Sequence, residues 1–439
     1  MNEIGPLFRE MRQAGLNGNA EGLALAYSQA YSLADEISTN EEEFSRQWLS
    51  LLKFELDVAP ISRALRTMRR AIDNGYSTNK NQAVVTPMMD YLTKHRELFL
   101  ETEEHVRSIA TGTRGRLFGN FQINFWSRLL YPQITSLSAR EVWMTITDAA
   151  INEARLRGLG IAMIPDFLVP LVVTSSSRTL SFHTEGRAPG LTHYKPADLP
   201  GYAVIDPGGY SGWSSLAKAK LQDLPLPSPE EAREFYEQHY REVVEQNISK
   251  YPQKIASFGS ELPDQYVFVP LQVAGDRTQQ LARIPMLKML RMVVERFFGT
   301  GTRVIVKRHP NCKNPKVTET LDRLSAKTEI ELRDDSIHTL LAGARAVFTV
   351  NSGVGSEAMA HLKPIYLFGD ADYNCAAHRI ESDADFLRLT ETLSPALSDT
   401  EMKQFLCYYR TRYLVRIADT DRIKQLVAER IFGDTTSRH

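Results

Sequence analysis

The amino-acid sequence predicts an α/β fold organised on doubly wound parallel sheets, and three observations carry the prediction. Between Arg303 and Gly369, a strand, a polar helix-like spacer, a second strand, a small-residue turn opening a helix and a third strand follow one another. Upstream, Tyr266-Val267-Phe268-Val269-Pro270 begins the same alternation, with a helix expected from about Pro285 to Phe298. Earlier still, residues 161–210 show strand-and-loop alternation of their own, the mark of a second α/β domain. In open sheets of this type ligands sit beyond the carboxyl ends of the strands.

A chain of 439 residues is too long for one ordinary core. Composition divides it into a helical N-terminal region over 1–110, a Rossmann-like domain over 111–258, a second over 259–390, and C-terminal helices over 391–439 packing back across both. With 52 basic and 53 acidic residues the net charge is −1, which gives no reason to expect a polyanion-binding surface, and nucleic acid is not an expected partner. Three scattered cysteines, Cys312, Cys375 and Cys407, make neither a disulfide framework nor a zinc site. The longest apolar candidate, Ile161 to Val173, is interrupted by Pro165, Asp166 and Pro170, so no membrane-spanning helix is expected. The first residues lack the basic and apolar regions of a signal peptide. The expected location is the cytoplasm, with any inner-membrane association peripheral.

Taken in order, residues 1–110 carry helical spacing, as in Leu23–Tyr27 and Trp48–Phe54, and almost no strand signal. Thr111–Asn120 is rich in glycine and basic residues but lacks the Gly-Lys-Ser/Thr ending of a phosphate loop, and reads as a linker. An amphipathic helix follows from Ser138 to Arg157. Leu171–Thr174 and Thr179–His183 read as buried strands, the second ending at Glu185. Tyr202–Ile205 then delivers Asp206 into a glycine loop flanked by Tyr210 and Trp213. Aromatics among small residues suit a sugar platform, while Asp-Pro-Gly-Gly is equally an ordinary turn, the plainer of the two readings. The prolines of Leu224–Pro229 make a stiff linker, and a helix starts at Ser228 or Pro229 and runs to about Ser249. Beyond Gly369, residues 386–433 look helical.

Two clusters stand at strand ends. The first is Lys307-Arg308-His309-Pro310, where proline fixes the loop exit and the imidazole can donate to a phosphate. The second is Asn351-Ser352-Gly353-Val354-Gly355, small residues opening a helix, with Glu357 one turn in where a carboxylate can accept from ribose hydroxyls. Either alone reads equally well as a strand-end histidine or a helix cap. On neighbouring strands, as expected here, they make a nucleotide-phosphate site, to which Gln272 also contributes. Asp276 follows the first strand of this domain and serves either as a nucleophile or base, or as a helix cap. Asp370-Ala371-Asp372 and Asp383-Ala384-Asp385 resemble metal-binding Asp-x-Asp pairs but read as solvated loops, so no metal is expected.

Leu271–Asp276, Lys307–Pro310 and Asn351–Ala358 with Lys363-Pro364 together resemble the retaining β-Kdo transferases of capsule and O-antigen biosynthesis, the KpsC and WbbB type. The resemblance covers mainly residues 265–370, with a weaker echo over 180–213. Its His-Pro and Ser/Gly-Glu-Ala pairing also occurs in bacterial sialyl- and polysialyltransferases and in sugar-nucleotide epimerases. The resemblance implies a GT-B-like fold, two Rossmann-type domains facing a central cleft. It further implies a CMP-Kdo or related CMP-ulosonate donor, a glycan or lipid-linked glycan acceptor, and no cofactor. His309 would then hold the donor phosphate, Asn351, Ser352 and Gly353 the nucleotide, and Glu357 the ribose. Asp276 would be the nucleophile of a double displacement and Glu185 the second catalytic carboxylate. A sialic acid or Kdn-type transferase, a UDP-GlcNAc 2-epimerase-like enzyme and an inactive nucleotide-sugar-binding protein are the alternatives.

Overall fold

The computed structural model describes residues 3–99, 121–125, 137–165, 178–182, 190–253, 262–328, 330–390 and 392–433. The chain forms two compact units, residues 1–195 with 417–439, and residues 196–416. The division thus falls near residue 195 rather than 258, and the N-terminal helices share a unit with the first sheet.

The first unit opens with helices α1 (Ile4–Leu16), α2 (Ala20–Thr39), α3 (Glu41–Val58), α4 (Ile61–Asp73) and α5 (Asn79–Lys94). The starts of α2 and α3 follow from capping chemistry: the Asn19 and Asn40 side chains accept from the Gly22 and Glu43 N–H groups. In α2 the buried residues Leu23, Ala26, Tyr27, Ala30, Leu33, Ala34 and Ile37 repeat at three and four, one apolar stripe. Strands β1 (Phe121–Phe125), β2 (Ile161–Pro165), β3 (Arg178–Phe182) and β4 (Leu191–Pro196) follow, with α6 (Leu137–Leu156) between the first two. They lie in the order β4-β3-β1-β2, and every pairing is parallel. The sequence reading missed β1 because Gln122 and Asn124 interrupt its apolar run. Both are buried and bonded across to β3, Gln122 to the Thr179 hydroxyl at 3.2 Å and Asn124 to the Phe182 N–H at 2.6 Å.

The second unit begins with β5 (Tyr202–Asp206) and α7 (Pro229–His239). Ser228 caps α7 and Pro229 takes its first position, as the sequence predicts. The helix does not reach Ser249. It widens into a π-type turn over Tyr240–Val244 and ends where Asn247 adopts φ 54°, a left-handed conformation that breaks the helical path. The sheet then builds through β6 (Tyr266–Pro270), α8 (Met286–Phe297), β7 (Arg303–Lys307), α9 (Pro315–Lys327), β8 (Ile330–Leu332), α10 (Ile337–Gly343), β9 (Val347–Thr349), α11 (Val354–Ala360), β10 (Ile365–Leu367) and β11 (His378–Arg379). Its order, β11-β10-β9-β6-β7-β8, is parallel throughout. Alternation along the strands feeds two cores: Phe268, Ile305, Val347 and Ile365 on one face, and Val267, Val269, Val306 and Phe348 on the other. Truncating a ring as buried as Phe268 would cost about 3–5 kcal/mol.

Three further elements follow in the second unit: α12 (Asp383–Leu387), α13 (Asp399–Tyr408) and β12 (Val415–Arg416), which pairs antiparallel with β5. A Ser398/Glu401 capping box starts α13. Helix α14 (Thr420–Val427) belongs to the first unit, so the C-terminal stretch is divided between the two. Two parallel-sheet α/β units with a helical N-terminal region are the fold class the sequence predicts. The predicted strand at Leu171–Thr174 and the linker at Thr111–Asn120 lie outside the described residues. Among the described residues no helix is long and apolar enough to cross a membrane.

Candidate functional site

The tips of β7, β6 and β9 define the site edge of the second unit. Strand order corrects one expectation here: His309 and Ser352 do not follow neighbouring strands, because β6 lies between β7 and β9. Two inter-strand steps put those tips about 10 Å apart, and the tip of β6 occupies the middle. Gln272, just past β6, meets Asn351 twice: its amide donates to Asn351 Oδ1 at 2.7 Å, and its Oε1 accepts the Asn351 N–H at 3.2 Å. Asn351 Nδ2 donates to the carbonyls of Thr278 and Asp370 at 2.8 and 3.1 Å. Asn351 therefore ties three loops together, and its amide is fully occupied.

The small-residue turn uses most of its own donors. The N–H groups of Ser352 and Val354 go to the Thr349 and Ser352 hydroxyls, and those of Gly355 and Ser356 to the carbonyls of Ser352 and Gly353. The exposed Gly353 keeps the open N–H, where the sequence suggested a row of them. Gly355 has a packing reason: a Cβ there would run into the Tyr373 ring, whose hydroxyl donates to the Ser352 carbonyl. Ser356 donates to Asp198, and Asp198 takes both arms of the buried Arg410, at 2.7 and 3.1 Å. This fork–fork geometry is strong and rigid.

Glu357 is only 5% exposed. Its Oε1 accepts from the Ser249 hydroxyl at 3.1 Å, while Oε2 has no hydrogen-bond partner. His338 Nε2 stands 3.8 Å from that oxygen but donates at 2.8 Å to the Ile248 carbonyl. With Nε2 carrying the proton, His338 Nδ1 accepts from His361 Nε2 at 3.0 Å. Burial pushes the Glu357 carboxyl up to about 8, with the Asp198 charge adding to it and Arg410 and Lys250 opposing it. Burial thus favours the protonated acid, and its Oε2 is left without a hydrogen bond.

Half-buried His309 accepts the Asn311 N–H on Nδ1 at 3.1 Å, which leaves Nε2 as the N–H nitrogen and the donor. Burial lowers its pKa, the Lys250 charge lowers it further, and Asp276 opposes both. Its neighbours turn elsewhere. Lys307 donates to the Asp335 carbonyl at 2.6 Å, and Arg308 to Thr318 and the Asn314 carbonyl at 2.8 and 3.2 Å, bracing the loop into α9. Pro310 is exposed behind them.

Asp276 is exposed and caps the short turn Arg277–Leu281, accepting from the Thr278 N–H and hydroxyl at 2.8 and 2.7 Å. Asp206 is the reverse case, 1% exposed and saturated with donors. It accepts from the Gly208 N–H at 2.6 Å, the Ser215 N–H and hydroxyl at 3.0 and 2.6 Å, and the Tyr413 hydroxyl at 3.1 Å. Tyr210 is buried against Trp213, ring centres 5.2 Å apart, so this loop is a packed turn. Asp370 is taken by Arg283 and Arg379. Glu185 lies outside the described residues. Sequence reasoning missed Asp198, Arg410, His338 and Ser249–Tyr251, none of which stands in a recognisable local pattern.

Fold and site together define a two-sheet α/β protein whose second sheet carries an incompletely satisfied polar edge. Residues 228–411, less than half of the chain and all within the second unit, match the family model described as capsule polysaccharide biosynthesis protein. No curated protein matches the chain. Among solved structures it is similar to Thermosulfurimonas dismutans KpsC. The beta Kdo 2,4 transferase matches at 15% identity and TM-score 0.44, covering 70% of this chain and 98% of that one. The beta Kdo 2,7 transferase matches at 17% and 0.42, with the same coverage. The UDP-GlcNAc 2-epimerase from Methanocaldococcus jannaschii follows at 9% and 0.27, covering 65% of this chain and 98% of that one. Likenesses this distant carry no weight on chemistry.

Proposed function

We propose that this chain is a glycosyltransferase of bacterial surface-polysaccharide synthesis, using a CMP-activated Kdo-like ulosonic acid and retaining its configuration. The observation that carries the reading is the open Oε2 of buried Glu357 at the same sheet edge as His309. A buried carboxyl oxygen left unbonded is costly unless a ligand meets it, and a ribose hydroxyl can either donate to it or accept its proton. The family match over residues 228–411 supports the polysaccharide context.

In this reading His309 donates through Nε2 to the donor phosphate, which stabilises the charge that builds on it as the bond to the sugar breaks. An Asp276 carboxylate oxygen forms a bond to the anomeric carbon, and the electron pair of the broken bond leaves with CMP. An acceptor hydroxyl then attacks the same carbon and releases Asp276. Glu185 takes the hydroxyl proton. Two inversions return the original configuration, and neither step calls for a metal.

Incubation with CMP-Kdo and measurement of CMP release is the direct test, with CMP-sialic acid and UDP-GlcNAc in parallel. Release from CMP-Kdo alone is the expected result. Thermal stabilisation by UDP but not CMP would replace the reading with an epimerase-like one.

A further inference from the structure

The segment from Asn247 to Gln253 crosses the site edge and is stapled along its length. Asn247 accepts from the Ser336 hydroxyl, the Ile248 carbonyl accepts from His338, and Ser249 donates to Glu357 at 3.1 Å. The Tyr251 ring stands edge-on to His309 with centres 5.2 Å apart, and Gln253 Oε1 accepts the Ile337 N–H at 3.0 Å. A mere connector needs no such anchoring. Its two central anchors are the two groups assigned to ribose and phosphate, and Lys250 lies between them in the chain. The Lys250 side chain is exposed and makes no hydrogen bond or ion pair among the described residues, yet its charge acts on both His309 and Glu357.

Resting on the nucleotide reading above, we infer that Lys250 contacts the donor's phosphate, making the Asn247–Gln253 strap part of the binding site. An ammonium has three donors and no acceptor, so with its neighbours' carboxyl and imidazole already anchored to the strap, it matches an incoming phosphate dianion. The unbonded Oε2 of Glu357, whose other oxygen accepts from Ser249 of the strap, leaves a hydrogen-bonding position open at the same spot.

Titration calorimetry of the full chain with CMP and with cytidine tests the assignment. Lys250→Ala is expected to weaken CMP about tenfold, the size of one charge-assisted hydrogen bond, and to leave cytidine unchanged. Lys250→Arg should recover most of the loss. The His309 imidazole, followed by NMR in the unliganded protein, should titrate at higher pH in Lys250→Ala. Unaltered CMP affinity in Lys250→Ala overturns the inference, and so does an equal loss for CMP and cytidine, which would make Lys250 a prop for the strap. If the unmutated protein binds neither CMP nor UMP, the nucleotide reading falls and this one with it. That failure shows before any substitution is made.

Discussion

Asp206, the last residue of β5, and Glu357, in the first turn of α11, are both buried carboxyls, and they have opposite surroundings. Asp206 is wrapped by donors from Gly208, Ser215 and Tyr413, while Glu357 has the Ser249 hydroxyl and one bare oxygen. The first arrangement closes on itself: every lone pair it needs is met inside the protein, and the result is a fixed turn. The second leaves one oxygen unbonded. Burial alone therefore does not tell these two carboxyls apart; hydrogen-bond satisfaction does.

The largest effect tests a third carboxylate, exposed Asp276, whose cap role and nucleophile role predict different outcomes. Asparagine caps about as well as aspartate, so Asp276→Asn should fold normally and bind CMP. Turnover of CMP-Kdo should nevertheless fall by roughly a thousandfold or more, the usual loss on removing a nucleophile. Turnover within a few-fold of the parent would reduce Asp276 to its cap.

Next in size is Asp206→Ala, which strands the donors of Ser215 and Tyr413 and should cost about 3 kcal/mol of stability in a denaturant titration. A neutral result would erase the contrast between the two carboxyls. Nucleotide affinity of whatever remains folded should be little changed.

The last prediction concerns Glu357→Gln, and its size depends on pH. In the folded chain the Glu357 carboxyl keeps its proton up to about 8, whereas in the unfolded chain it loses it near 4.5. Between those values the unfolded state binds fewer protons, so stability falls as pH rises. Glutamine does not titrate. The melting temperature of Glu357→Gln minus that of the parent should therefore climb from pH 5 to pH 8 and flatten above it. A difference independent of pH would place the open oxygen in contact with water.

Much of the second sheet was legible because its strands are plain apolar runs: β6, β7, β9 and β10 all appear in the sequence as such. Strand β1 was hidden by buried Gln122 and Asn124, which look like surface residues until their partners in β3 are known. The same limit applies at the site. His309, Glu357 and Asp276 sit beside glycine, proline or small-residue signals, so local chemistry exposes them. The Asp198–Arg410 pair joins positions 212 apart, beyond the reach of any spacing rule. The strap around Lys250 looked like the tail of α7, since the left-handed turn at Asn247 rests on a side chain of Ser336 far along the chain.

Strands β5 and β12 lie antiparallel with Tyr202 opposite Arg416, and Arg416 closes the second unit while Tyr202 stands near its opening. The two ends of this stretch are thereby held side by side, so the segment carrying His309, Glu357, Asp276 and Lys250 starts and finishes at one place.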